Sequence, residues 1–371
     1  MSLPVITDVA DLRGKRVLVR TSLNVPVKDD AVMNDFRIRR AMATIDYLVG
    51  EGARVILIAH IGRERTDSLE SVYQTMRRRM SLSWCGDFDT AGASIEKLEN
   101  GEVLLLENLR SHNGEIANDE GFAKELASFA DVYVNDAFAA SHRAHASIVG
   151  VPKHLPSYIG LTFSREYEAL VDARTPEQPS LFILGGAKFE TKAPLIKKYA
   201  DIYDRVFVGG ALANDFFKAK EYEVGTSLVS ENGVAEELLQ KENILLPIDV
   251  TVQNAEGQTR ITTPDNVQGD ETILDAGPET IKMLDTYIDE AKTILWNGPL
   301  GSYEKGFSEY TEALAQKIAE SDAQSVVGGG DTIASIAKMN IEDDFTFLST
   351  AGGAMLVFLE IGTLEGIEAL T

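Results

Sequence analysis

One pattern constrains the fold of this chain more than any other. Short apolar runs stop abruptly at polar or glycine-rich loops, and segments with helical spacing lie between them. Arg16-Val17-Leu18-Val19-Arg20 reads as a buried strand and stops at Thr21-Ser22-Leu23-Asn24-Val25-Pro26. There Pro26 ends regular structure. Over residues 35–50, Ile38, Met42, Ile45 and Leu48 recur close to helical spacing. Residues 54–59 read as a second strand and lead into His60-Ile61-Gly62-Arg63. Strand, helix and strand in this order predict a parallel α/β architecture. Such sheets bind ligands beyond the carboxyl ends of their strands, where Ser22, Asn24, His60 and Arg63 fall.

The rhythm continues. Residues 103–107 read as a strand feeding Asn108-Leu109-Arg110, residues 115–130 as a helix, and residues 131–135 as a strand that runs on towards Ser141-His142-Arg143-Ala144-His145. Arginines recur at the strand exits: Arg20, Arg63, Arg110 and Arg143, with Arg37 just past the first loop. Arginine suits bidentate recognition of carboxylate and phosphate. Each alone could serve a salt bridge; as a group on one predicted edge they point to an anionic small-molecule site. His142 and His145 lack partners at a familiar zinc spacing. Cys85 and Trp84 read as packing residues.

Pro152 and Pro156 mark a boundary region over residues 150–163, followed by a helix over 164–173 and a turn over 175–179. A new series of strands begins at residues 181–184 and meets Gly185-Gly186-Ala187-Lys188, with Lys192 one helical turn beyond Lys188. Residues 205–208 lead to Gly209-Gly210, residues 246–250 and 260–263 read as strands, and Asp275 to Thr280 as a turn entering a helix. Residues 293–296 open into Asn297-Gly298-Pro299-Leu300-Gly301, with Glu304 nearby, a loop suited to a nucleotide sugar or simply to closing a strand–helix connection.

After Ser325-Val326-Val327 comes Gly328-Gly329-Gly330-Asp331-Thr332, with a helix predicted to begin at Asp331 or Thr332. Glycines allow backbone N–H groups to approach phosphate oxygens, and the helix start adds unpaired donors and a positive dipole end. A carboxylate suits this field if Asp331 holds Mg²⁺ against the phosphate. The alternative is a tight turn with Asp331 as helix N-cap. Residues 345–348 read as a strand, a last helix begins within 349–354, and the segment from Gly362 packs back on the first domain.

The 371 residues, 44% of them hydrophobic, suffice for two domains. A formal net charge of −23 argues against a general nucleic-acid binder and against an anionic membrane surface. No apolar run approaches the ~18–20 residues of a membrane span. A single cysteine, Cys85, excludes an intrachain disulfide and fits a reducing compartment.

In their order, Arg20-Thr21-Ser22-Leu23-Asn24-Val25-Pro26, His60-Ile61-Gly62-Arg63, Glu107-Asn108-Leu109-Arg110, His142-Arg143-Ala144-His145, Gly185-Gly186-Ala187-Lys188, Trp296-Asn297-Gly298-Pro299 and Gly328-Gly329-Gly330-Asp331-Thr332 closely resemble the motifs of the phosphoglycerate kinases. The resemblance covers essentially the whole chain. It implies two Rossmann-like three-layer α/β/α domains with largely parallel sheets, joined by a hinge, with the C-terminal tail returning to the first domain. The expected division is residues 1–160 with 355–371 for 3-phosphoglycerate and residues 161–354 for Mg-nucleotide. The implied reaction is reversible phosphoryl transfer between ATP and the carboxylate of 3-phosphoglycerate, giving ADP and 1,3-bisphosphoglycerate, in a cytoplasmic monomer.

On matching positions, the resemblance places the acceptor on Ser22, Asn24, Arg37, His60, Arg63, Arg110 and Arg143. It places the nucleotide on Gly185, Ala187, Lys188, Lys192, Gly209, Asn297, Pro299, Glu304, Gly330, Asp331 and Thr332, with Mg²⁺ at Asp331. Arg37 and Lys192 are the expected catalytic pair, and Gly352 and Gly353 the loop that answers the transition state. Ser22 stands where the family commonly has aspartate, Glu64 where it has proline, and Leu364-Glu365-Gly366 where it has Leu-Pro-Gly. Ala351 stands for a glycine, which would strain the loop if that position needs φ > 0. These departures motivate a competing reading as a non-catalytic nucleotide or metabolite-binding protein. A third is a kinase acting on another small phosphorylated acid.

Overall fold

A computed structural model describes residues 3–231, 233–234 and 236–371. The chain forms two compact units, Met1–Glu168 with Ile361–Thr371, and Ala169–Glu360. The division places residues 355–360 with the second unit and residues 161–168 with the first, unlike the boundaries expected at 160/161 and 354/355. Both units are α/β with a parallel six-stranded sheet.

In the first unit the strands run Ser83–Cys85, Val103–Leu106, Arg54–Ile58, Arg16–Thr21, Val132–Asp136 and Ser157–Ile159 across the sheet, all parallel. Their apolar runs are continuous because both faces are covered. Val17, Val19, Val55 and Leu57 pack into one core. Leu18, Ile56 and Ile58 point into another. Helix Phe36–Gly50 buries Ile38, Ala41, Thr44, Ile45 and Leu48, a single helical stripe. The helix expected over 115–130 is interrupted. Asn118 adopts φ 52° and ends helix Asn113–Ala117, and Asp119 caps helix Glu120–Ser128 by accepting from the Phe122 N–H.

The second sheet runs Ile244–Leu245, Arg205–Val208, Ser180–Leu184, Thr293–Asn297, Gln324–Gly328 and Phe347–Ser349. Beside it lies a three-stranded antiparallel sheet with Val250–Gln253 between Thr259–Thr262 and Thr272–Ala276. This corrects two expectations. Residues 246–249, with Pro247 among them, form a connection and not a strand. Asp275 and Ala276 close a strand, and the turn is confined to Gly277 before helix Pro278–Glu290. Val250 and Val252 pack with Ala213, Phe217, Val224 and Val267. The final segment does return to the first unit, where the Gly366 N–H donates to the Ser141 carbonyl at 2.8 Å.

Candidate active site

In the first unit, loops following four parallel strands bring the predicted polar residues to one edge of the sheet. Asn24 accepts from the Gly62 N–H at 3.0 Å and, through its carbonyl, from Arg37 Nη1 at 2.6 Å. Arg37 sits in the first turn of helix Phe36–Gly50, and its burial lowers its guanidinium pKa, with Glu166 opposing that shift. Gly62 adopts φ 63°, which lets the loop turn, while Asp67 accepts from the Arg63 and Glu64 N–H groups at 2.8 Å each. Glu64 therefore donates a backbone hydrogen that proline could not. Arg110 donates to the Gly62 carbonyl. Its pKa is lowered by burial and by the neighbouring Arg143, with Glu115 and Asp67 opposing that shift.

His60 is nearly buried, and its Nδ1 lies 2.7 Å from Arg20 Nη2. Burial, then Arg20, Arg110, Arg143 and His145, drive its pKa far down, so the ring is neutral. Two residues outside the predicted set hold these loops. Buried Asn108 donates to the carbonyls of Ile61 and Asp67 at 3.0 and 2.7 Å and accepts from the N–H groups of Ile61 and Arg110 at 3.2 and 3.1 Å. Glu107 accepts from Ser68 Oγ and the Leu69 N–H. Both lie in a quoted motif, but the sequence gives no sign that their partners are loop atoms some forty residues away.

In the second unit the glycine turns interlock. Gly185 donates to the Asn297 carbonyl and Gly186 to that of Pro299, both at 2.9 Å. A Cβ on Gly210 would come 2.6 Å from the Gly186 nitrogen, so that approach requires glycine. These turns border a cavity of about 520 Å³, lined by Ala187, Pro299, Glu304 and Asp331 among the predicted residues. It falls in the ~300–1,000 Å³ range of small-molecule sites. Tyr303, in the loop read from the sequence as suited to a nucleotide sugar, also lines it, as do Asn214 and Asp275, which were not anticipated. Burial pushes the Asp275 carboxyl up to about 7. Gly185, Gly209 and Asn297 are not in the lining; they fasten the loops that are.

Lys192 lies on helix Phe189–Tyr199, with Nζ 2.5 Å from the Gly185 carbonyl. Burial lowers its pKa to about 8, with Asp331 opposing that shift. Lys188 is exposed one turn earlier and does not share this setting. The helix after the triple glycine begins at Gly330, with Gly329 at φ 107° as its N-cap. Asp331 therefore sits inside the first turn and is not the cap. Thr332 in the same turn is buried, with a hydroxyl oxygen that has no hydrogen-bond partner. Among the described residues no group of three or more His, Cys, Asp or Glu side chains could hold a metal. A lone carboxylate in the first turn of a helix that follows three glycines, as Asp331 is, does fit Mg²⁺, which keeps waters and takes one or two carboxylates plus substrate phosphates. Ala351 is not at positive φ; Gly352 is, at 56°, so the alanine carries no backbone strain. Gly352 lies in the turn just before the helix Gly353–Ile361, which Gly353 begins.

The sequence model of a family described as phosphoglycerate kinase matches residues 6–361. The phosphoglycerate kinase of Rubrobacter xylanophilus is 43% identical over 378 residues, covering 97% of this chain and 96% of the relative. That of Pelotomaculum thermopropionicum is 41% identical, covering 97% of each. The solved phosphoglycerate kinase of Coxiella burnetii superposes with a TM-score of 0.86 at 36% identity, covering 100% of this chain and 99% of that one. That of Pyrococcus horikoshii OT3 gives 0.88 at 30% identity, covering 99% and 98%.

Proposed function

The chain belongs to the phosphoglycerate kinase family and catalyses phosphoryl transfer between ATP and 3-phosphoglycerate, and on that premise we propose how its own residues divide the work. The first unit binds the acceptor through Ser22, Asn24, Arg37, His60, Arg63, Arg110 and Arg143. The second binds Mg-nucleotide around Gly185, Ala187, Lys188, Lys192, Gly209, Asn297, Pro299, Glu304, Gly330, Asp331 and Thr332.

Transfer is direct. A carboxylate oxygen of 3-phosphoglycerate forms a bond to the γ-phosphorus as the bond to the bridging oxygen of ADP breaks, giving 1,3-bisphosphoglycerate. No protein nucleophile is needed, and the two substrates must meet by closure of the units about the segment that links them. Arg37 offers a fork of donors and Lys192 a compact charge to the oxygens of the transferring group. Bound Mg²⁺, held by Asp331, would neutralise charge on the nucleotide phosphates. A cytoplasmic location is supported by the lone thiol of Cys85, and a monomeric state rests on the family resemblance alone.

The observation that supports this division best is the buried ammonium of Lys192, held at the Gly185 carbonyl and in the field of Asp331, a residue that also lines the cavity of about 520 Å³. A coupled assay on the purified protein should show ATP turnover that requires both Mg²⁺ and 3-phosphoglycerate. Turnover indifferent to either would overturn the proposal.

A further inference from the structure

The first unit holds a buried carboxylate that the reaction does not account for. Glu115 is 0% exposed. Its two oxygens accept from the Ser147 N–H at 3.0 Å and from the Ser147 hydroxyl at 2.7 Å. Burial alone would raise the Glu115 carboxyl, but His145, Arg20 and Ser147 together hold it below its ordinary range.

A hydroxyl has one proton. Once Ser147 gives it to Glu115, its oxygen can only accept from its other neighbour, Arg20 Nε, at 3.0 Å. Arg20 is itself 0% exposed, with Nη1 donating to the Thr21 carbonyl at 2.7 Å and Nη2 lying 2.7 Å from His60 Nδ1. A guanidinium has donors and no acceptor. Nδ1 must therefore be unprotonated and accept, which leaves the proton of the neutral ring on Nε2.

We propose that Glu115, acting through Ser147 and Arg20, is a positioning residue that fixes His60 as a neutral imidazole protonated on Nε2. His60 then meets the anionic acceptor as a hydrogen-bond donor and not as a base. This role rests on the placement of His60 in the acceptor site. The charged and titratable groups facing the ring are Arg20, Arg110, Arg143 and His145, all of which oppose its protonation. Glu115 is the carboxylate that offsets Arg20 in this buried setting and prevents an unpaired internal cation. It also lies 3.6 Å from His145 Nδ1.

The ¹⁵N spectrum of the ring nitrogens in the whole, histidine-labelled chain tests the assignment, with the His60 signals identified by their loss in His60→Gln. Nδ1 should show an unprotonated shift and Nε2 a protonated one, unchanged between about pH 5.5 and 8. A protonated Nδ1, or a ring that titrates in this window, overturns the proposal. Ser147→Ala and Glu115→Gln should each mix the tautomers and raise KM for 3-phosphoglycerate about tenfold. Their kcat and KM for Mg-ATP should stay within about twofold. If either folded variant keeps the wild-type ring spectrum and KM, the relay is wrong at that residue. His60→Gln keeps an N–H near the Nε2 position and should bind acceptor at least about fivefold tighter than His60→Phe. An unchanged KM in His60→Phe would remove His60 from the acceptor site and overturn its binding role, while the ring spectrum decides the relay independently.

Discussion

Lys192 holds its ammonium 2.5 Å from the carbonyl oxygen of Gly185, buried at the glycine turn and in the field of Asp331. The carbonyl is a weak partner for a full charge, so an incoming phosphoryl oxygen can take over the ammonium at little cost. Lys192→Ala, and Arg37→Ala on the acceptor side, should each lower kcat by about 10²–10³-fold, the typical effect of losing one transition-state donor. Affinities for the separate substrates should change far less. Near-normal kcat at saturation in both folded variants would remove them from the phosphoryl site.

The same burial gives a stability signature. The folded-state pKa of Lys192 is about 8 against 10.5 for the free side chain. Between those values the unfolded chain binds the extra proton, so the contribution of this group to stability rises with pH. Below about pH 8 the protein carries the full cost of a buried ammonium. Lys192→Met should be more stable than wild type at pH 7, and the gap should close as pH rises from about 8 towards 10.5. Denaturant midpoints of the ligand-free proteins across that window measure it; a constant gap would show that the ammonium is not the source.

Because Gly329 is the helix cap, Asp331 has no capping duty, and its substitution isolates charge. Asp331→Asn should lose at least about tenfold in Mg-ADP affinity if the carboxylate meets the metal. Without Mg²⁺ the same variant should bind ADP as well as wild type or better, since a negative charge near the phosphates is gone. Calorimetric titrations with and without Mg²⁺ separate the two. Equal losses in both would assign Asp331 to the turn alone.

Asn108 spans two loops with four hydrogen bonds from a buried site. Asn108→Ala leaves those backbone groups unpaired, and each buried orphan costs ~1–3 kcal/mol. We expect a loss of about 3 kcal/mol, a melting temperature lower by roughly 5–10 °C, and a raised KM for 3-phosphoglycerate with KM for Mg-ATP unchanged. A melting curve and paired KM values check this, and equal changes in both KM values would contradict a local role.

Ala351 is buried at negative φ, with its N–H donating to Ser349 Oγ at 3.2 Å. Ala351→Gly should therefore bring no gain in kcat beyond about twofold and should destabilise by ~0.5–1 kcal/mol through chain entropy. A large rise in kcat would mean that alanine restrains the loop after all.

The sheets were legible because parallel strands covered on both faces read as unbroken apolar runs, as at residues 17–19 and 206–208. The edges of that logic are visible. At residues 115–130 the apolar spacing persists through Asn118, whose left-handed backbone ends one helix before Asp119 caps the next. Near residues 246–250 the run Ile244 to Val250 is apolar enough for one strand, but Pro247 breaks it and its two ends join different sheets. The site loops were legible as strand exits. Their supports were not: nothing in the sequence shows that Ser147 reaches Arg20, 127 positions away, or that Asn108 binds Ile61.

The hydrogen bond from Gly366 to Ser141 sets an order on synthesis. The second unit is one continuous stretch, so all of its residues have been made before the last segment of the first unit is translated. The first unit emerges earlier, but its contact at Ser141 forms only once the segment carrying Gly366 has been translated, after the whole of its neighbour. A Cβ at position 366 would come 2.7 Å from the Ser141 side chain, so the segment fits only with glycine there. The first unit is thus the first to be begun and the last to be completed, since its final contact waits for the end of translation.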